Sequence, residues 1–350
     1  MAAAPSRSAH SARAAAEPVV VDKFGGSVLR RPEDIAAAVA AVAEQRRAGL
    51  RPVVVVSAFE GVTDTILASA SVLLPDGGAA LREPGHEASS AFARETDRAL
   101  ATGEALSAAL FALGLQARGI PARSFSGAEA GIRTAAAHLG AEVRRVLPRR
   151  LRAALAEGLV PVVAGFQGIG THGELTTLGR GGTDLSAVVL AVALRAQRCE
   201  LFKDVGGVMD ADPSLVPAAR LLTEVDALQL ELLAELGAEV VHPVAVRRAR
   251  RGRLPLVVRA LDAGSPQTAV RPGRTRGEAV AGVLMLAVDR KERIARVSVV
   301  GPAELTPELL PIPAHGAGSF DEGHMRVVWA EVPVEQAARA AQAVYAAIMA

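Results

Sequence analysis

An alternating α/β architecture is predicted by three observations: short β-branched apolar runs, helical stretches between them, and a composition almost without aromatic residues. Half of the 350 residues are hydrophobic but only 3% are aromatic, so the core must be built from Ala, Val and Leu. That palette suits helices packed on a parallel sheet better than an all-β sandwich. The length allows two domains and a substantial core.

The elements follow in order. Val19 to Val21 form a strand that stops at the glycine pair Gly25-Gly26. Pro32, the apolar spacing Ile35, Val39 and Val42, and then Gly49 mark an amphipathic helix with its start and stop signals. Pro52 to Ser57 is a continuous apolar strand, which completes a βαβ unit. Helices are expected from about 88 to 115, 141 to 156 and 226 to 236, with a surface loop from Pro75 to Gly85. Leu159 to Ala164 is another buried strand, a helix from Leu185 to Leu194 follows, and Cys199 to Phe202 and Leu254 to Arg259 continue the sheet. Gly264 to Glu278 carries Pro266, Pro272, Gly273 and Gly277 among charges, the signature of a linker. Beyond it lie strand-like runs at Val280 to Val288, Arg296 to Val300 and Met325 to Val332, then a helix from Val334 to Met349. The resulting division is a disordered tail (1–17), a main domain (18–265), a linker (266–278) and a small α+β domain (279–350).

Residues 173 to 190 carry the strongest chemical signal. Gly179, Gly181 and Gly182 surround Arg180 and run straight into an apolar helix, with Thr183 or Asp184 placed to cap it. Backbone N–H groups at such a helix entry suit an anion. A second turn, Lys23-Phe24-Gly25-Gly26-Ser27, sets a lysine at the end of a strand beside another phosphate-sized loop. Two such loops point to a protein that handles phosphate. Gly168 to Gly173 also satisfies G-x-G-x-x-G, but an extended, threonine-rich segment follows it rather than a helix, so a hairpin with His172 exposed is expected. His242, before Pro243, reads as a structural residue between helix and loop.

The formal charge of +2 and the lack of a basic stripe interleaved with aromatics argue against nucleic acid as the main partner. Arg144-Arg145, Arg149-Arg150 and Arg247 to Arg253 read as solvated helix faces. One cysteine, Cys199, excludes an intrachain disulfide and fits a reducing compartment. No uninterrupted apolar run of membrane-spanning length occurs, and the Ala-, Ser- and Arg-rich start lacks the apolar segment of a secretory signal. A cytoplasmic location is expected.

Several segments, in order, resemble the motifs of aspartate kinases in the amino-acid kinase superfamily: Lys23 to Val28, Val56 to Thr63, Thr176 to Asp184, Asp204 to Pro213 and Gly237 to Pro243. The resemblance covers about residues 19 to 268. It implies a three-layer αβα sandwich and transfer of the γ-phosphoryl group of ATP, with Mg2+, to the side-chain carboxylate of L-aspartate. It further implies a homodimer and a C-terminal region resembling a reduced ACT domain, with weak feedback inhibition by lysine or threonine. By the same resemblance Lys23 neutralises the transferring group, Gly25 and Gly26 admit phosphate oxygens, and Ser57 and Thr63 line the acceptor pocket. Glu104 matches the partner of the substrate amino group, Arg180 the fork onto its α-carboxylate, and Asp184 the acid that orients Lys23.

Departures from the family pattern gather on the nucleotide side. One residue is missing between Gly26 and Val28. Lys203-Asp204 replaces Thr-Asp, Met209 a tyrosine, Ser214 an arginine and Glu239 a phosphate-binding lysine. A glutamate there would repel ATP unless another cation intervenes, and Lys203 is the candidate to supply it. Two alternatives stay open: a nucleotide-impaired homologue serving as a regulatory or binding subunit, and a kinase for another amino-acid-like carboxylate.

Overall fold

The computed structural model describes residues 17–73, 91–238, 240–262, 264–273, 284–289 (backbone only), 294–302, 305–306 and 316–349. The first strand, β1 (Val19–Phe24), is followed by a 3-10 turn (Pro32–Asp34), helix α1 (Ile35–Arg47) and strand β2 (Arg51–Val56). β1 and β2 pair in parallel, so the expected βαβ unit is present. The chain continues through α2 (Val62–Leu73), α3 (Ala91–Ala117), β3 (Ala122–Phe125), α4 (Gly127–Ala130), β4 (Ile132–Thr134), β5 (Val143–Val146), α5 (Arg149–Ala156) and β6 (Val160–Ala164). Then come β7 (Gln167–Ile169), β8 (Leu175–Thr177), α6 (Gly182–Leu194), β9 (Arg198–Phe202), β10 (Glu224–Asp226), α7 (Ala227–Glu235), α8 (Pro243–Arg251), β11 (Leu256–Arg259) and β12 (Gln267–Arg271). The last elements are β13 (Leu284–Asp289), β14 (Ile294–Pro302), β15 (Gly316–Glu322), β16 (Met325–Pro333) and α9 (Ala337–Met349).

The main sheet has the order β10-β12-β11-β9-β1-β2-β6-β3, with β1 near its centre. Its one antiparallel pairing is between β11 and β12. The unbroken valine run of β2 is explained by its two covered faces. Val54 and Val56 pack under α1 and α3 with Phe24 and Phe111, while Val53 and Val55 pack against α5, α6 and α8. This is the three-layer αβα sandwich. α3 is long and apolar enough to cross a membrane by composition, yet half of it is buried within this fold.

A small sheet, β5-β4-β7-β8, contains the expected hairpin: β7 and β8 pair antiparallel around exposed His172. Residues 143–146, expected to be helical, instead form β5 at the edge of this sheet, so Arg144 and Arg145 lie on a strand. Pro148, which lacks a backbone donor, is the N-cap of α5 and delays the start of that helix, and β4 pairs with the residues before it.

The expected linker also begins later than its composition suggests. Gln267–Arg271 is a main-sheet strand in which Thr268 and Val270 are buried. The expected loop at 75–85 and residues 274–283 lie outside the described residues. The C-terminal sheet, β13-β14-β16-β15, is antiparallel, with α9 on one face. β15 lies between the expected strand-like runs at Arg296 to Val300 and Met325 to Val332, and its Gly318 leaves room for the Trp329 ring on the neighbouring strand. This unit shares its cores with the main domain: Val300, Met325 and Val327 join the central cluster, and Ala211 and Val216 join the C-terminal one.

Candidate active site

The parallel strands β1, β2 and β9 end at one edge of the sheet, the usual site for a ligand crevice in open α/β folds. Lys23 is on β1, Ser57 just past β2 and Lys203 just past β9. All three line a cleft of about 1350 Å³ with Gly26, Thr63, Glu104, Arg180 and Asp184. Helices α2, α3 and α6 line the cleft, and the glycines set how closely the segments around it approach. A Cβ on Gly25 would sit 2.9 Å from Lys23 Nζ, and one on Gly26 would sit 3.2 Å from Ala58 O. A side chain at Gly25 would crowd the Lys23 ammonium, and one at Gly26 would press on the Ala58 and Glu60 backbone.

Asp184 lies in the first turn of α6. It does not cap the helix: Gly181, in left-handed geometry (φ 70°), is the N-cap residue, and no side chain caps the end. The carboxylate instead bridges two lysines. Lys23 Nζ is 2.7 Å from Oδ1 and Lys203 Nζ is 3.1 Å from Oδ2, all on nearly buried side chains. Burial disfavours the Asp184 carboxylate, but Lys23 and Lys203 outweigh it and hold its pKa far below the ordinary range. Burial pushes the Lys23 pKa down; Asp184 opposes this and Lys203 adds to it. Two lysines sharing one carboxylate leave an excess positive charge facing the cleft, which favours an anion.

Glu104 stands on the opposite wall. Gly103 lets α3 press against Ala58, since a Cβ there would be 2.8 Å from the Ala58 Cβ. Glu104 Oε1 accepts a hydrogen bond from Ala58 N at 3.1 Å, while the buried Oε2 has no partner. Burial raises its pKa to about 7. An orphaned, desolvated carboxylate facing a cleft fits a cationic ligand group such as an ammonium. Arg180 is exposed on the rim of the same cleft.

The remaining nucleotide-side candidates are placed elsewhere. Asp204 and Ser214 are exposed, and Ser214 N and Oγ both donate to Asp212 Oδ1. Met209 bridges Leu221. None of the three belongs to the cleft walls. Glu239 lies outside the described residues, although Gly237, Ala238, Val241 and His242 around it line the cleft.

Sequence reasoning missed several wall residues. His242 is the N-cap of α8, yet its ring packs against Gly181, its N–H lies 3.4 Å from Asp184 Oδ2, and its buried Nδ1 has no partner. Asp97, His138, Leu139 and Thr177 support the Arg180 side. Asp97 was detectable in principle, because it falls two helical turns before Glu104 on one face of α3. No group of three metal-ligating side chains occurs among the described residues.

Comparison with known proteins shows the family of the chain. The sequence model of the Amino acid kinase family matches residues 18–260. The chain is 38% identical over 284 residues to an aspartokinase of Mycolicibacterium smegmatis, covering 81% of this chain and 64% of that protein. An aspartokinase of Thermus thermophilus is 40% identical over 268 residues, covering 76% and 63%. The chain thus spans less than two thirds of the length of these curated relatives. E. coli aspartokinase III in complex with aspartate and ADP superposes with a TM-score of 0.78 at 22% identity, covering 95% of this chain and 100% of that one. Aspartate kinase from Synechocystis gives 0.62 at 27% identity, covering 95% and 69%. With the family match over most of its length, the chain belongs to the amino acid kinase family, and the relatives named above are aspartokinases.

Proposed function

We propose that the protein is an aspartate kinase, which transfers the γ-phosphoryl group of ATP to the side-chain carboxylate of L-aspartate. The Lys23–Asp184–Lys203 bridge carries this reading. Phosphoryl transfer needs in-line placement and charge neutralisation more than covalent help from the protein. The acceptor carboxylate oxygen bonds to the γ-phosphorus, the bond to the β–γ bridging oxygen breaks, and ADP leaves with the electron pair. Lys23 and Lys203 offset the charge of the phosphates, and Asp184 holds both ammonium groups in place. Lys203 takes the role that a lysine at position 239 has in the family pattern. Gly25 and Gly26 give phosphate oxygens access to the backbone.

On the acceptor side Glu104 receives the substrate ammonium, Arg180 its α-carboxylate, and Ser57 and Thr63 line the pocket. Magnesium would be held chiefly by the nucleotide's phosphate oxygens and water, and would offset their charge beside Lys23 and Lys203. Asp204 adjoins Lys203, whereas a nucleotide role for Met209 and Ser214 requires the hairpin closed by the Met209–Leu221 bridge to approach the cleft. The protein is read as a cytoplasmic homodimer acting on small molecules, not on nucleic acid or membrane.

Trapping the acyl phosphate with hydroxylamine, in the presence of ATP and a panel of amino acids, tests the reading. Aspartyl hydroxamate is the expected product, and Lys203→Ala should raise the KM for ATP about tenfold or more, as for loss of a hydrogen bond to a charged group. No aspartate-dependent product would support the regulatory-subunit reading, and a larger signal with another amino acid would reassign the acceptor.

A further inference from the structure

A buried carboxylate that takes no part in the proposed chemistry ties the two halves of the acceptor wall together. Asp97 is on α3, two turns before Glu104, and its side chain is fully buried. It accepts from His138 Nδ1 at 2.7 Å, from Leu139 N at 3.1 Å and from the Thr177 hydroxyl. Because the carboxylate can only accept, the His138 proton sits on Nδ1.

Leu139, a wall residue of the cleft, has left-handed backbone geometry (φ 57°). A residue with a Cβ keeps such a conformation only where its surroundings enforce it, and the Asp97 bond to its N–H does so. The next two residues complete the tie. Gly140 N and Ala141 N both donate to Thr177 O, at 3.2 and 2.7 Å. Gly179 (φ 74°) packs against Gly140. Thr177 is therefore held at its hydroxyl and its carbonyl, three residues before Arg180. The Arg180 guanidinium itself has no hydrogen bond or ion pair among the described residues.

We propose that Asp97, clamped by His138, is the positioning residue that fixes the Arg180 loop relative to Glu104. It sets the separation between the sites for the α-carboxylate and the α-ammonium of an amino-acid acceptor. The proposal rests on reading the cleft as an amino-acid kinase site. Its effect belongs to the acceptor, because Lys23, Lys203 and Asp184 are held by other elements.

Steady-state kinetics with each substrate varied in turn test this, alongside thermal melts. Asp97→Ala should raise the KM for aspartate about tenfold while the KM for ATP stays within about twofold. Asp97→Asn, which keeps an acceptor oxygen for Leu139 and Thr177, should restore most of the loss. An Asp97→Ala enzyme with unchanged aspartate KM, or with both KM values raised alike, overturns the proposal. If that variant does not fold, His138→Ala decides, since the ring lies at the edge of the network: an aspartate KM raised severalfold supports the assignment and an unchanged one overturns it. Wild-type protein without aspartate-dependent turnover overturns the kinase reading itself and the proposal with it, a result distinct from the variants' because it precedes them.

Discussion

At the scale of single residues, the proposed acceptor site depends on the protonation of Glu104. Its carboxyl is pushed by burial from an ordinary value of 4.5 to about 7. The folded state therefore holds this proton more tightly than the unfolded chain does. The stability it contributes is complete below pH 4.5 and is lost as pH rises through about 7. Under the proposed function, binding of the substrate ammonium runs the other way, because it requires the ionised form. The KM for aspartate should consequently fall as pH is raised from about 6 to about 8. Glu104→Gln should flatten that profile and weaken aspartate binding at the alkaline end. A pH-independent KM in the wild type would show that Glu104 does not meet the substrate.

At the scale of elements, the position of Asp184 is set by how α6 begins. Gly181 has φ 70°, and a Cβ there would lie 2.2 Å from the ring carbons of His242. Two elements meet at this glycine, the start of α6 and the start of α8. Gly181→Ala should cost about 2 kcal/mol or more through left-handed strain and overlap with the ring. It should also displace Asp184 from its lysines and lower turnover more than it lowers the melting temperature would predict. Chemical denaturation and initial rates on the same preparation check both effects. The sequence showed that glycine belonged here, but which steric demand it meets depends on His242, about sixty residues away.

At the scale of the molecule, the C-terminal sheet and helix are built into the main domain rather than appended to it. The Tyr345 hydroxyl lies 3.0 Å from Asp210 Oδ2 and 3.1 Å from Ala218 O, and Gln342 Nε2 donates to Leu215 O. Asp210 Oδ1 in turn accepts from Arg220 N. α9 thus supports the hairpin that carries Met209 and Ser214. Tyr345→Phe removes the hydroxyl and leaves buried Asp210 Oδ2 without that donor, at a cost of about 1–3 kcal/mol. Urea unfolding should show this loss as a lower midpoint. An unchanged midpoint would mean that apolar packing of α9 alone holds the hairpin.

The αβα class, the central βαβ unit and the glycine hairpin at Gly168 to Gly173 were legible in the sequence, while Lys23, Glu104, Arg180 and Asp184, which line one cleft, were singled out by the family resemblance. They depend on local periodicity, on glycines at turns and on motifs whose residues lie close together. Tertiary structure alone decided the rest. Pro148 delays the start of α5, but 143–146 became a strand only because a sheet edge was available to pair them, and 267–271 left the expected linker to pair with β11 and β10. Lys203 reached Asp184 because β9 ends beside β1, and Asp97 reached Thr177 across eighty positions of chain. Contacts between distant segments are fixed by strand order and helix packing, which no local pattern encodes.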